Sequence, residues 1–124
     1  MIEFTIPIAP VTKKNSQRII VNPRTKRPMV LPSEAYKKYE KECGWFIKPL
    51  GIDKPINLKC LYYMPTKRRV DLVNLLEATC DVLVKYGCIT DDNSLIVAST
   101  DGSRVLYDKE NPRTEIMICD ADAL

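Results

Sequence analysis

The chain of 124 residues carries 19 Lys and Arg against 16 Asp and Glu, for a net charge of +3, and contains no histidine. That length fits one domain, 1–124, able to bury a core without disulfide staples. The lack of histidine excludes Ser-His-Asp and Cys-His nucleophilic systems, His-ligated zinc and His general bases together.

The charge is unevenly spread. Residues 1–70 hold 15 Lys and Arg and 5 Asp and Glu, whereas residues 71–124 hold 4 and 11. A basic half suits contact with an anionic polymer, and the plain alternative is charge scattered over solvated faces. No apolar run reaches the roughly 18–20 residues of a membrane span. The start, MIEFTIPIAP, lacks a basic leader, so no signal peptide is expected. The cysteines (Cys43, Cys60, Cys80, Cys88, Cys119) are odd in number and form no C-x-x-C pair, which points to a reduced, cytosolic chain without a zinc site.

In chain order, residues 2–8 alternate and predict a strand, with Pro10 beyond it. Residues 11–17 form a polar loop with Lys13, Lys14 and Asn15. Residues 18–22 and 27–31 predict a hairpin, or an ordered loop, around Asn22-Pro23. Ser33 is a candidate N-cap for a helix over 33–48, and Glu34 suits its first turn. Its stripe of Tyr36, Tyr39, Cys43, Phe46 and Ile47 reads as core. Residues 56–64 predict a strand ended by Pro65. A second helix spans about 72–86, with Gly87 as its stop. Strands follow at 94–100 and 103–107, with a hairpin signal at Asp101-Gly102, and at 113–119. The tail DADAL is expected to fray. The fold class is α/β in the mixed α+β sense: a small mixed sheet with two main helices.

On the second helix, 100° per residue places Leu72, Leu75, Leu76, Thr79, Val82, Leu83 and Tyr86 on the buried side. Asn74, Glu77, Asp81 and Lys85 form the polar side, where Asp81 and Lys85 have the spacing of an i,i+4 ion pair. Asp71 lies at the helix mouth, after Lys67, Arg68 and Arg69, and a helix cap is its plain role. Asp91 and Asp92 lie in a turn before an apolar strand, where paired aspartates are commonly structural. Carboxylates converging from a helix start and a strand start would also bind a hard divalent cation. Magnesium needs few protein carboxylates beside waters and phosphate oxygens, and it promotes attack on a phosphodiester.

The run Arg68, Arg69, Asp71, Leu72, Asn74, Leu75, followed by Asp81, Leu83, Gly87, Asp91 and Asp92, resembles the RusA family of Holliday junction resolvases. The resemblance implies a small homodimeric, magnesium-dependent endodeoxyribonuclease that cuts four-way DNA junctions symmetrically in recombination and repair. It implies a bacterial or phage gene and a cytoplasmic protein. It places the acids of the site at Asp71 and Asp92, with Asp91 beside them, and the family's asparagine at Asn74.

The chain departs from the family pattern twice. Val73 stands where the family has a second aspartate, and Glu77 where it often has a catalytic lysine. Helical side chains lean toward the N-terminus, so the longer Glu77 would bring a carboxylate near the place of the missing aspartate. The expected ligand set is then Asp71, Glu77 and Asp92 around Mg2+, with Asp91 or Asn74 behind it. Positive charge would come from Lys13 or Lys14, or from Lys67, Arg68 and Arg69, which are placed to grip phosphates. The alternatives are a two-aspartate site with more waters, a catalytically weak or inactive branched-DNA-binding relative, and an unrelated interaction domain whose acids are caps and turns.

Overall fold

The computed structural model describes residues 1–13, 18–31 and 33–121, and only the backbone at 18–20 and 30. Along the chain run β1 (Ile2–Ile6), β2 (Arg18–Val21), β3 (Pro28–Leu31), α1 (Glu34–Cys43), β4 (Ile56–Met64), α2 (Leu72–Lys85), β5 (Val97–Ser99), β6 (Arg104–Tyr107) and β7 (Arg113–Asp120). The main sheet has the order β1, β7, β4, then β5 and β6 along the outer edge of β4. β7 is antiparallel to both β1 and β4, while β5 and β6 run parallel to β4. A mixed sheet with two helices is therefore observed. β2 and β3 form a separate antiparallel pair, turned at Asn22, whose side-chain oxygen accepts the Arg24 N–H at 2.9 Å.

Alternation along β4 decides where the core lies. Ile56, Leu58, Cys60 and Tyr62 are buried, and they sit opposite Asp120, Ile118, Ile116 and Thr114 of β7. Onto this face pack Tyr36, Tyr39 and Cys43 of α1 and Leu75, Ala78, Val82 and Leu83 of α2, in one core cluster. Burying these side chains supplies the main favourable term, at roughly 25 cal/mol per Å² of apolar surface. The Tyr62 hydroxyl and Thr79 Oγ1 meet at 2.7 Å inside this core, so this polar contact between β4 and α2 is satisfied. The second helix is buried more widely than a single stripe predicts: Ala78 and Cys80 are also buried, while Leu72, Leu76 and Tyr86 are only half-buried.

α1 ends at Cys43 rather than near Lys48. The N–H groups of Gly44, Trp45 and Phe46 bond back to the carbonyls of Lys41, Glu42 and Cys43, three residues earlier, which tightens and closes the helix. Phe46, expected in the buried stripe, is 41% exposed for the same reason. Gly44 is fixed by packing: a Cβ there would lie 2.6 Å from the Tyr86 ring. The Tyr86 hydroxyl donates to the Glu40 carbonyl at 2.8 Å, and Lys85 pairs with the Glu40 carboxylate. The expected Asp81–Lys85 pair is thus replaced by a link between the two helices. α2 stops as expected at Gly87, whose φ of +76° suits glycine.

The region after α2 differs most from expectation. Ser94–Ile96 form a turn in which the Ile96 N–H bonds to the Asn93 carbonyl at 3.0 Å, so the strand begins only at Val97. β5 and β6 do not form a hairpin at Asp101-Gly102. Both lie parallel along β4, which pairs with β5 at Ile56 and Asn57 and with β6 from Leu61 to Met64. Side chains bridge the gap: Asn57 Oδ1 accepts the Asp101 N–H at 2.9 Å, and Ser103 Oγ accepts the Cys60 N–H at 3.0 Å. Among the described residues, no helix is long and apolar enough to cross a membrane. All five cysteines are free, and only Cys119 is exposed.

Candidate active site

Val70 and Leu72 pack against the core, which leaves Asp71 between them facing solvent. Asp71 occupies the N-cap position of α2, and its carbonyl accepts the Leu75 N–H at 3.2 Å. Its carboxylate does not cap the helix. Oδ2 instead accepts the side-chain amide of Asn74 at 3.2 Å. The acid gains from the helix dipole, yet it remains open to a ligand.

Two residues after Asp71, Val73 is 72% exposed, and Glu77 follows it four residues later, half-buried. Asp81 lies one more turn along. Burial pushes its carboxyl above the ordinary range; the Lys13 ammonium opposes this, while Glu77, Asp92 and Glu40 add to it. Burial likewise pushes the adjacent Cys80 thiol up to about 11, helped by Asp92, Asp81 and Glu77. Asp81 therefore stands within electrostatic range of both Glu77 and Asp92. Asp81 thus shares the polar side of α2 with Glu77, as their i,i+4 spacing predicts, but is not paired with Lys85.

The two aspartates of the turn are not equivalent. Asp91 builds the turn: it accepts the Asp92 N–H at 2.7 Å and the Asn93 side-chain amide at 3.0 Å. These bonds hold its carboxyl below the usual range. Asn93 in turn accepts the Leu95 N–H at 2.9 Å. Asp92 is exposed, its side chain meets that of Asp91, and among the described residues no ion pair engages its carboxylate.

The cations come from two places. Pro10 and Thr12 are buried and Val11 packs on the core, so Lys13 emerges beside the polar side of α2. Lys14 and Asn15 lie outside the described residues. Lys67, Arg68 and Arg69 are all exposed, and none forms an ion pair among the described residues. The turn leading into them is held by the Arg68 N–H, which donates to Thr66 Oγ1 at 3.4 Å. Among the described residues, no three of His, Cys, Asp and Glu stand close enough together to hold a metal ion. The donor chemistry still fits a hard cation. These are carboxylates and one amide, and magnesium draws on one or two carboxylates with waters and substrate oxygens rather than a full protein cage.

The family model of endodeoxyribonuclease RusA matches residues 7–119. The chain belongs to this family. The matched span starts just after β1 and takes in α2, the Asp91-Asp92 turn and Lys67, Arg68 and Arg69. Membership in the RusA family implies a nuclease that resolves DNA junctions. No curated protein matches the chain. In this RusA-family chain, the departure at Val73 lies on the open surface of α2, on the side where Glu77 follows.

Proposed function

We propose that the chain is a magnesium-dependent endonuclease that resolves four-way DNA junctions by paired phosphodiester hydrolysis. The observation that carries this reading is a pair of exposed acids with no cation partner among the described residues. The Asp71 side chain sits at a helix N-cap without capping it, and Asp92 lies between Asp91 and Asn93, which build the turn. Acids kept for structure alone would be expected to cap or to pair.

In this reading one or two of Asp71, Glu77 and Asp92 hold the ion together with waters and phosphate oxygens, with Asn74 orienting Asp71 through its amide. A bound magnesium ion would supply electrostatic stabilisation of the charge that builds on the phosphodiester. The chain's own residues do the rest. Lys67, Arg68 and Arg69 bind phosphates beside the scissile bond and set the strand's register, without reading sequence. Lys13 balances the negative charge gathered around Asp81. Cutting both strands symmetrically requires two such sites, which a homodimer provides.

A synthetic four-way junction with labelled arms tests the proposal. Symmetric nicks are expected with Mg2+ and none in EDTA. Tight, structure-selective binding without any nicking would identify a branched-DNA binder instead. Glu77→Ala is expected to lower cleavage by about 10- to 100-fold at limiting Mg2+. Full magnesium-dependent cleavage by that variant would remove Glu77 from the ligand set.

A further inference from the structure

We infer that Tyr107 is a positioning residue that holds the Lys67 ammonium in place for a DNA phosphate while leaving its charge intact. The inference rests on the junction-cutting reading above and adds to it a residue of β6, far from Lys67 in sequence. β6 runs in register with β4, so Tyr107 sits opposite Met64, the last residue of β4. The chain then turns through Pro65 and Thr66, which brings Lys67 back over the end of β6. Its Nζ lies 5.1 Å from the centre of the Tyr107 ring. That is within the distance at which a ring face attracts a cation. Tyr107 is 45% exposed and Lys67 is exposed, so the pair lies at the surface.

The acid nearest to this pair along the chain is engaged elsewhere. The Asp108 N–H bonds to the Met64 carbonyl at 3.0 Å, which ties the end of β6 to β4. Its carboxylate accepts Arg113 Nη1 at 2.9 Å and the N–H groups of Glu110 and Asn111, each at 3.1 Å. Lys67 therefore has the ring and no acid partner among the described residues.

The second cation–ring pair at this end of the sheet has the opposite character. Arg113 stacks over Tyr63 at 3.8 Å but is bound by both Asp108 and Glu115, so its charge is already matched. A carboxylate would hold Lys67 and cancel it. A ring holds it and leaves a full charge for phosphate, with part of the side chain's ordering already done.

The test uses the full chain, an immobile four-way junction and a KCl series. Tyr107→Phe keeps the ring and is expected to bind within twofold of the wild type. Tyr107→Leu removes the ring and is expected to weaken binding about threefold. Lys67→Gln is expected to weaken binding further and to lower the salt slope by about 0.9. The double variant is expected to match Lys67→Gln alone, because the ring acts only through the lysine. Equal affinities for the Phe and Leu variants, or independent multiplication of the Leu and Gln effects, would overturn the inference.

An NMR measurement on the free protein gives a second, DNA-independent check. The Lys67 ε-methylene protons should be shifted upfield by the ring in the wild type and in Tyr107→Phe, and their absence of shift would also overturn it. If the wild type fails to bind the junction at all, the functional reading falls and this inference with it. If the wild type binds and Tyr107→Leu binds equally well, only the inference falls.

Discussion

Helix α1 and the surface from Lys67 to Asp92 are both rich in charge, and they use it differently. On α1, Lys37 faces Glu34 at 4.0 Å, Lys38 faces Glu42 at 3.8 Å, and Glu40 reaches across to Lys85. All of its charges except that of Lys41 are matched within the protein. On the second surface, Lys67, Arg68 and Arg69 have no acid partner among the described residues, and Asp71 and Asp92 do no capping or turn-building work. Composition alone would rank these two regions as equals. The difference is that one set of charges is paired within the fold, while the other is left open; under the proposed function a phosphate would meet the cations and a divalent ion the acids.

The sharpest way to break this contrast is to remove an open acid. Asp92→Asn is expected to lower junction cleavage by at least about 100-fold while binding is kept, since loss of even an outer partner of a metal commonly costs 10–100-fold. Asp91→Asn should instead act on the turn, so a thermal melt separates the two neighbours. Next in size is the cationic run. Replacing Lys67, Arg68 and Arg69 together by Gln is expected to lower the salt slope of junction binding by about 2.7, at roughly 0.9 per phosphate contact. The same change at Lys37 and Lys38 should leave the slope unaltered.

Stability measurements sharpen the contrast from the other side. Glu40→Gln is expected to destabilise by about 0.5–1 kcal/mol, the upper range for a surface pair, as read by urea denaturation. Glu40 holds the Lys85 ammonium above the usual lysine range. That contribution is complete below the ordinary lysine pKa and is lost only as alkaline pH passes the raised value.

The smallest expected effect has the opposite sign. Burial and the charges of Glu77 and Asp92 raise the Asp81 carboxyl, so its charged form costs stability at neutral pH. The cost fades as pH falls through the raised value. Asp81→Asn is expected to gain about 0.5 kcal/mol at pH 7 after solvent screening, and less at acid pH.

Much of the frame was legible in the chain. β4 and α2 were readable because periods of 2 and 3.6 were long and were closed by Pro65 and Gly87. The run from Arg68 to Asp92 carried the family. The edge of the sheet was not legible. Asp101-Gly102 has the local chemistry of a hairpin, yet β5 and β6 find their partner in β4, more than 35 residues earlier. Parallel pairing leaves no local turn signature, so it is invisible to a reading by neighbours. The ends of Phe46 and Ser94 were missed for a related reason: backbone bonds closed each turn where side-chain pattern alone would have continued the element.

The sequence by itself determined the periodic elements, the absence of histidine chemistry, and the set of acids and cations available for a site. The tertiary structure decided which of those charges remain open. It gave Lys85 to Glu40 instead of Asp81, set Asp91 to build the turn while Asp92 stays clear, and laid Lys67 over Tyr107. Each outcome depends on which groups meet across elements distant in the chain. A charge is neutralised by whatever stands within a few ångströms of it, and that is fixed only once the sheet and helices have packed.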